Sequence, residues 1–212
     1  MTSGAVQECQ FGPLTIAYDE RVLVPRPWTL AQSEWAAELA PTAPPGAILE
    51  LCAGAGHIGL AAAVLADRDL VQIEADPVAA QYARDNAERA GRTARVEVRC
   101  VRLQDGVLAG EEFPIIVADP PYLPTADVQR WPADPVTAID GGADGLDVVR
   151  ACLDVAGSHL TDAGQLLLQI AGPAQDRRIT ELLDATPRWR LARRDALVID
   201  DERAIVLIGR TG

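Results

Sequence analysis

Two short stretches hold the residues best suited to chemistry. The first is Asp119-Pro120-Pro121-Tyr122, reached by the apolar run Ile115-Ile116-Val117-Ala118. Consecutive prolines fix the backbone, so the Asp119 side chain and the neighbouring carbonyls point in set directions at low entropic cost. Acceptors held in this way can fix the N–H bonds of a planar amino or amide nitrogen. Its lone pair is then aimed at an electrophilic methyl carbon, with Tyr122 packed on the planar group. Such positioning supplies a substantial part of a barrier. By itself the tetrapeptide is only a loop after a strand; its place downstream of the second stretch favours chemistry.

That second stretch is Ile48-Leu49-Glu50-Leu51-Cys52-Ala53-Gly54-Ala55-Gly56, a buried strand running into a glycine turn and a helix. The turn lets a ligand approach the backbone, and the helix start offers free N–H groups. A dinucleotide site would want G-x-G-x-x-G to seat a pyrophosphate. Here the spacing is Cys52, Gly54, Gly56, and Glu50 at the strand end would repel one. An acid there suits a cationic or amino-bearing ligand. The next strand ends in Ile73-Glu74, where a carboxylate can accept both hydroxyls of a ribose. A nucleoside with an amino-acid tail and a sulfonium, S-adenosylmethionine, meets both demands. The competing bland reading is a plain tight turn with solvated acids.

Positioning these groups requires regular elements. Two short β-like runs, Leu14–Ala17 and Val22–Val24, flank Asp19-Glu20-Arg21 and predict a small hairpin, which Pro25-Arg26-Pro27 ends. Thr29–Leu39 reads as a helix, stopped by Pro41, Pro44, Pro45 and Gly46. Strand and helix patterns then alternate: strands Ala47–Cys52, Leu70–Ala75, Arg95–Cys100, Ile115–Ala118 and Gln165–Ile170, with helices Ile58–Ala66, Val78–Ala90, Leu146–Leu160 and Asp176–Asp184. Such alternation implies right-handed crossovers and a mostly parallel sheet covered on both faces. The closing runs Leu191–Ile199 and Ala204–Ile208 are linked too tightly for a helix, so they should pair antiparallel. The segment from Pro120 to Gly145 lacks a regular pattern, and loops of that length are usually functional. Residues 1–45 read as an N-terminal extension packed on a core formed by 46–212.

Composition narrows the function classes. The chain has 212 residues, 19 Lys and Arg against 31 Asp and Glu, and a formal charge of −12, which disfavours grip on phosphate backbones. Its 49% apolar content rules out general disorder, and 4% aromatics makes the core aliphatic. Cys9, Cys52, Cys100 and Cys152 form no C-x-x-C pair and, with His57 and His159, make a poor metal inventory. No metal is expected. Neither a signal peptide nor a membrane span is read, so the setting expected is cytoplasmic.

The order and spacing of Glu50 to Gly56, Glu74 and Asp119 to Tyr122 resemble class I S-adenosylmethionine-dependent methyltransferases with an N/D-P-P-Y motif. More narrowly, the chain resembles the HemK/PrmC-like family, which N-methylates the glutamine of a Gly-Gly-Gln motif in peptide-release factors. Val24-Pro25-Arg26-Pro27 is similar to that family's I-P-R-P, Ala83-Arg84-Asp85-Asn86-Ala87 to its A-R-x-N-A, and Ala138 to Leu146 to its A-L-x-G-G-x-D-G-L. The short form, without the bacterial members' N-terminal helical domain, is the nearer match. The resemblance implies an α/β, doubly wound, Rossmann-like seven-stranded sheet with the last strand antiparallel and a small N-terminal hairpin and helix.

It also implies S-adenosylmethionine bound by Glu50, Cys52, Gly54, Gly56, Glu74, Asp105 and Asp119. Asp119, Pro120 and Tyr122 are the expected catalytic groups, and Asp119, Pro121, Tyr122 and Trp131 the expected acceptor-binding ones. The expected acceptor is a protein resembling a release factor, or a small molecule; nucleic acid is less favoured. A non-catalytic cofactor-binding subunit with a partner is the alternative from another class.

Four departures from the family pattern stand out. Cys52 replaces a usual glycine, Arg102 the acid expected at the adenine amine (leaving Asp105 as substitute), Trp28 a glutamate, and Asp119 the usual asparagine. Asparagine matches both faces of a primary amide, whereas ionised aspartate only accepts, and so favours an amine, exocyclic amino or guanidinium group.

Other residues carry weaker signals. Trp131 and Asp134 are candidates for an acceptor pocket, and His57 for the cofactor carboxylate. Trp28 and Trp35, seven apart, share a helical face and suggest packing. Arg188, Arg190, Arg193 and Arg194 form the best cationic foothold.

Overall fold

The structure, a computed structural model, describes residues 5–212. Strands β1 (Gln7–Phe11) and β2 (Leu14–Tyr18) form an antiparallel hairpin closed at Gly12-Pro13. This corrects the sequence expectation: the partner of Leu14–Ala17 is Gln7–Phe11, and Val22–Val24 lies outside regular structure. Gly12, at φ +54°, permits a two-residue reversal. Asp19, by contrast, is tied into a local turn by Arg21 and by the Val22 N–H on its carbonyl, so the chain there never reaches a strand geometry.

A 3-10 turn at Pro27–Thr29 leads into α1 (Leu30–Leu39). There follow β3 (Ile48–Leu51), α2 (His57–Ala66), β4 (Leu70–Glu74), α3 (Pro77–Arg89), β5 (Val96–Cys100) and β6 (Phe113–Ala118). The long segment beyond β6 contains a 3-10 stretch, Thr125–Arg130, and the one-turn α4 (Val136–Ile139). The chain then continues as α5 (Asp147–His159), β7 (Leu160–Ile170), α6 (Gly172–Asp184), β8 (Leu191–Asp200) and β9 (Arg203–Arg210).

Among the described residues, seven strands form one sheet in the order β5-β4-β3-β6-β7-β9-β8. β9 runs antiparallel to both neighbours, and the pairings from β5 to β7 are parallel. Every residue of β3 and of β6 is buried, as strands covered on both faces require. Side chains alternate between two aliphatic layers. Ile48, Ile115, Val117, Leu167 and Ile205 face α1, α2, α3 and the hairpin. Leu49, Leu51, Ile116, Leu168 and Val206 face α5 and α6. No helix among the described residues is long and apolar enough to cross a membrane.

Strand order reverses between β3 and β6, since β4 and β5 lie on one side of β3 and β6 on the other. Open α/β sheets bind ligands in the crevice at the carboxyl ends of such a pair. The Cys52–Gly56 turn and Asp119–Tyr122 both emerge there.

Candidate active site

Register sets the geometry. Leu51 pairs with Ile73 on one side and Ala118 on the other, so Cys52, Glu74 and Asp119 leave the sheet abreast. Two cavities open over this edge, of 630 Å³ and 480 Å³, and Asp119 and Pro121 line both.

The larger cavity lies over the glycine turn. Glu74 is fixed in its floor, with Oε2 accepting the Gly54 N–H at 2.7 Å and Oε1 the Asp76 N–H at 2.8 Å. Burial raises its pKa, while these backbone donors pull the other way. Each oxygen keeps a lone pair for a ligand hydroxyl. The turn itself alternates left-handed residues, Cys52 at φ +59°, Gly54 at +55° and Gly56 at +78°. Cys52 therefore holds a conformation that glycine adopts without cost, at roughly 1 kcal/mol. Its thiol is pushed up by hydrogen bonding to Cys152 of α5 and by burial, so it stays neutral.

Glu50 and Gly56 lie behind this cavity and do not line it. Glu50 is buried beneath the turn, accepting the Gly59 N–H at 2.8 Å and Gln72 Nε2 at 2.6 Å. Burial pushes its carboxyl up to about 7 against the pull of those donors. A side chain at Gly56 would drive into Gln72 and Ala83, so the glycine is needed where the turn meets α3. Asp105 is exposed at the end of a 3-10 turn and also stands off the wall; Arg102, Leu103 and Gln104 line it instead.

One supporting residue was not anticipated as such. Asn86, on α3, accepts the Ala17 N–H and donates to the carbonyls of Ala17 and Ala55, joining hairpin, turn and helix. His57 lines the larger cavity, with Nδ1 buried and unpartnered among the described residues and Phe11 edge-on at 4.8 Å. Burial lowers its pKa to about 4, leaving a neutral ring.

The smaller cavity lies over the tetrapeptide. Asp119, Pro120, Pro121 and Tyr122 form one wall. Asp119 is half-buried, and desolvation raises its carboxyl to about 7. Burial likewise raises the Tyr122 hydroxyl. The loop is held from outside: Gln175 of α6 donates to the Tyr122 carbonyl at 3.1 Å, and Leu123 donates its N–H to the Ile139 carbonyl of α4 and accepts the Gly141 N–H. Gly145, at φ +73°, passes so close to that same carbonyl that a Cβ would sit 2.5 Å from it.

The opposite wall is the 3-10 turn carrying Trp28. Arg203, the first residue of β9, stacks on its ring at 3.9 Å, and Arg26 lies 5.8 Å from the ring centre. Arg26 grips Asp134 at 2.6 and 2.8 Å. Trp131 stands at the mouth, 46% exposed. The expectation that Trp28 and Trp35 share a helical face is corrected: Trp28 precedes α1 and lines the cavity, and Trp35 packs on the core. Trp28 sits in the 3-10 turn Pro27–Thr29, whose tighter winding does not continue the face of α1. The arginines near β8 are partly neutralised, Arg188 by Asp154 and Arg193 by Asp176.

The donor set fits an adenosyl amino-acid sulfonium. Glu74 offers acceptors for hydroxyls, Gly54 leaves open space where a Cβ would be, and the acids beside the turn suit a cation.

Residues 34–131 match a family model described as "Conserved hypothetical protein 95". The chain is 35% identical over 167 residues to a release factor glutamine methyltransferase of Geobacter sulfurreducens, covering 76% of this chain and 57% of that protein. It is 27% identical over 172 residues to a ribosomal protein uL3 glutamine methyltransferase of Francisella tularensis, covering 78% and 54%. The chain thus spans little more than half the length of these relatives. Human methyltransferase 10 domain containing protein superposes with a TM-score of 0.68 at 15% identity, covering 94% of this chain and 90% of that one, a likeness of fold.

Proposed function

We infer that this chain, which belongs to the HemK/PrmC-like class I methyltransferases, transfers a methyl group from S-adenosylmethionine to a nitrogen of a protein side chain. The observation that carries this reading is the meeting of two cavities at Asp119, one floored by Glu74 and one walled by Asp119 to Tyr122. Release factor and ribosomal protein names among the relatives support a protein acceptor.

The cofactor, when bound, supplies an electrophilic methyl on a cationic sulfur that departs as a neutral thioether. The chain's own residues do the rest. Glu74 accepts the ribose hydroxyls, and the Cys52–Gly56 turn brings backbone close to the amino-acid tail. Neutral His57 offers a nitrogen there without adding charge. Asp119 and the Pro120 carbonyl hold the acceptor's N–H bonds, and Tyr122 packs on its plane. Pro120, Pro121 and the rings of Tyr122 and Trp28 keep water from the reacting atoms, where fixed dipoles count for more. In this reading the N-terminal extension supplies the second wall of the acceptor cavity through Leu23, Arg26, Trp28 and Thr29, and four free thiols support a cytoplasmic setting.

Incubation with methyl-labelled S-adenosylmethionine and a fractionated cell extract tests it. Label should enter the protein fraction. Cofactor binding without label in the protein, RNA or metabolite fraction would sink the catalytic reading.

A further inference from the structure

The face of the acceptor cavity formed by Asp119, Pro120 and Pro121 offers hydrogen-bond acceptors. Pro120 and Pro121 carry no N–H, so that stretch of backbone offers carbonyls alone. No donor hydrogen-bonds the Asp119 carboxylate among the described residues, and desolvation is what shapes its titration. The nearby cations are already engaged: Arg26 on Asp134 at 2.6 Å, Arg130 on Asp127 at 3.7 Å, and Arg203 on Asp200 at 3.3 Å and on the Trp28 ring. Asp119, Asp201 and Glu202 line the cavity without an ion-pair partner among the described residues, so its field is negative.

A carboxamide on the Asp119–Pro121 face finds acceptors for its N–H bonds and no donor there for its oxygen, which must draw instead on Trp28, Trp131 or Arg26 elsewhere in the cavity. A nitrogen that only donates has no such deficit. We propose that Asp119 and the proline carbonyls select a basic acceptor nitrogen, an ammonium or guanidinium, and that Asp119 takes its proton as the methyl is transferred.

The step balances. One N–H proton passes to the Asp119 carboxylate, and the freed lone pair forms the N–C bond. The C–S bond breaks with its electron pair left on sulfur, and Asp119 then releases the proton to solvent. A carboxyl raised to about 7 is poised for that role near neutral pH. The titratable and charged neighbours are Glu50 and Cys52 at the end of β3, Glu74 at the end of β4, and His57 in the shared cavity. Tyr122 lies past the prolines, and Arg26, Asp127, Arg130, Asp134, Asp201, Glu202 and Arg203 line the rest of the acceptor cavity. Burial favours the protonated form of Asp119, and a bound cation pulls its pKa down.

This inference rests on the N-methyltransferase reading, and the experiment separates the two. Calorimetry with S-adenosylmethionine alone tests that reading; no binding there counts against it and, with it, the proposal. With binding shown, methyl transfer is measured on peptides identical but for a central glutamine, lysine or arginine, and on free n-butylamine. A basic probe should react at least tenfold faster than the glutamine peptide, with a rate that climbs through about pH 7. Asp119→Asn should remove that limb and shift preference to glutamine. Reaction of the peptides or of the free amine tells whether the basic nitrogen comes from a protein or a small molecule. If no probe turns over, their affinities in saturating S-adenosylhomocysteine decide: tenfold tighter basic probes support the proposal, and equal or inverted affinities overturn it. Faster glutamine transfer by the wild type, or an unchanged preference in Asp119→Asn, also overturns it.

Discussion

The two cavities are built in opposite ways. The cofactor side is made by consecutive elements: β3, its turn, α2, then β4 ending in Glu74. The acceptor side gathers segments from across the chain, namely the Pro27–Thr29 turn, the tetrapeptide, the Thr125–Ile139 region and the β8–β9 turn. A site made from strand ends inherits the rigidity of the sheet. One made from loops depends on separate braces, here Gln175, Gly145 and the Arg26–Asp134 pair. The fold thereby fixes the cofactor half and leaves the acceptor half free to vary, as loops on a constant scaffold do.

Mutations can break this comparison. The largest effect is expected at Asp119, the acid that the two cavities share. Asp119→Ala should slow methyl transfer by about 10²–10³-fold while leaving cofactor affinity nearly unchanged, as single-turnover rates and calorimetry would show. Equal losses in both would mean the two halves are not separable.

Next comes the acid beneath the turn. Glu50 titrates near 7 in the fold and near its ordinary 4.5 when unfolded, so the native state holds a proton that the unfolded chain has released. Native stability is therefore eroded as pH rises from about 4.5 to 7. Glu50→Gln removes that loss and should gain about 2–3 kcal/mol on the wild type above pH 7, with little gain at pH 4, in denaturant titrations. Gln72 can rotate its unpartnered Oε1 toward the new amide. A gain independent of pH would contradict the assignment.

A smaller effect is expected at Glu74→Ala, which should weaken cofactor binding by roughly thirtyfold and leave turnover at saturation within about threefold. The smallest is Trp28→Ala. The acceptor KM should rise about fivefold, with cofactor affinity unmoved. A fall in cofactor affinity would place Trp28 on the wrong side of the divide.

The same division explains how much could be read in the sequence. The doubly wound sheet, its antiparallel last strand and the placement of Glu74 and Asp119 at its carboxyl edge all follow from local patterns: apolar runs of strand length, helix spacing and turn residues. Glu50 was expected at the ligand, yet Gly59 and Gln72 claim its oxygens, which no one-dimensional pattern reveals. Asp105 is near Arg102 in sequence, but the 3-10 turn carries it off the wall. Arg203 falls in sequence within the short link between the two closing runs. Its stacking on Trp28 depends on β9 inserting between β7 and β8, a pairing between residues remote in the chain. Trp28 itself was within reach, since Pro25-Arg26-Pro27 already marks a break before the helix.

That insertion of β9 has a consequence for how the molecule comes into being. On a ribosome the chain emerges from its N-terminus, so the turn after β3, Glu74 and Asp119 are all made well before Arg203. β8 cannot join the sheet directly, because its only neighbour there is β9. A nascent chain can thus shape the cofactor half early, while the acceptor half gains its Arg203 wall only once the final strand slots home. Timing alone would keep an unfinished chain from engaging an acceptor.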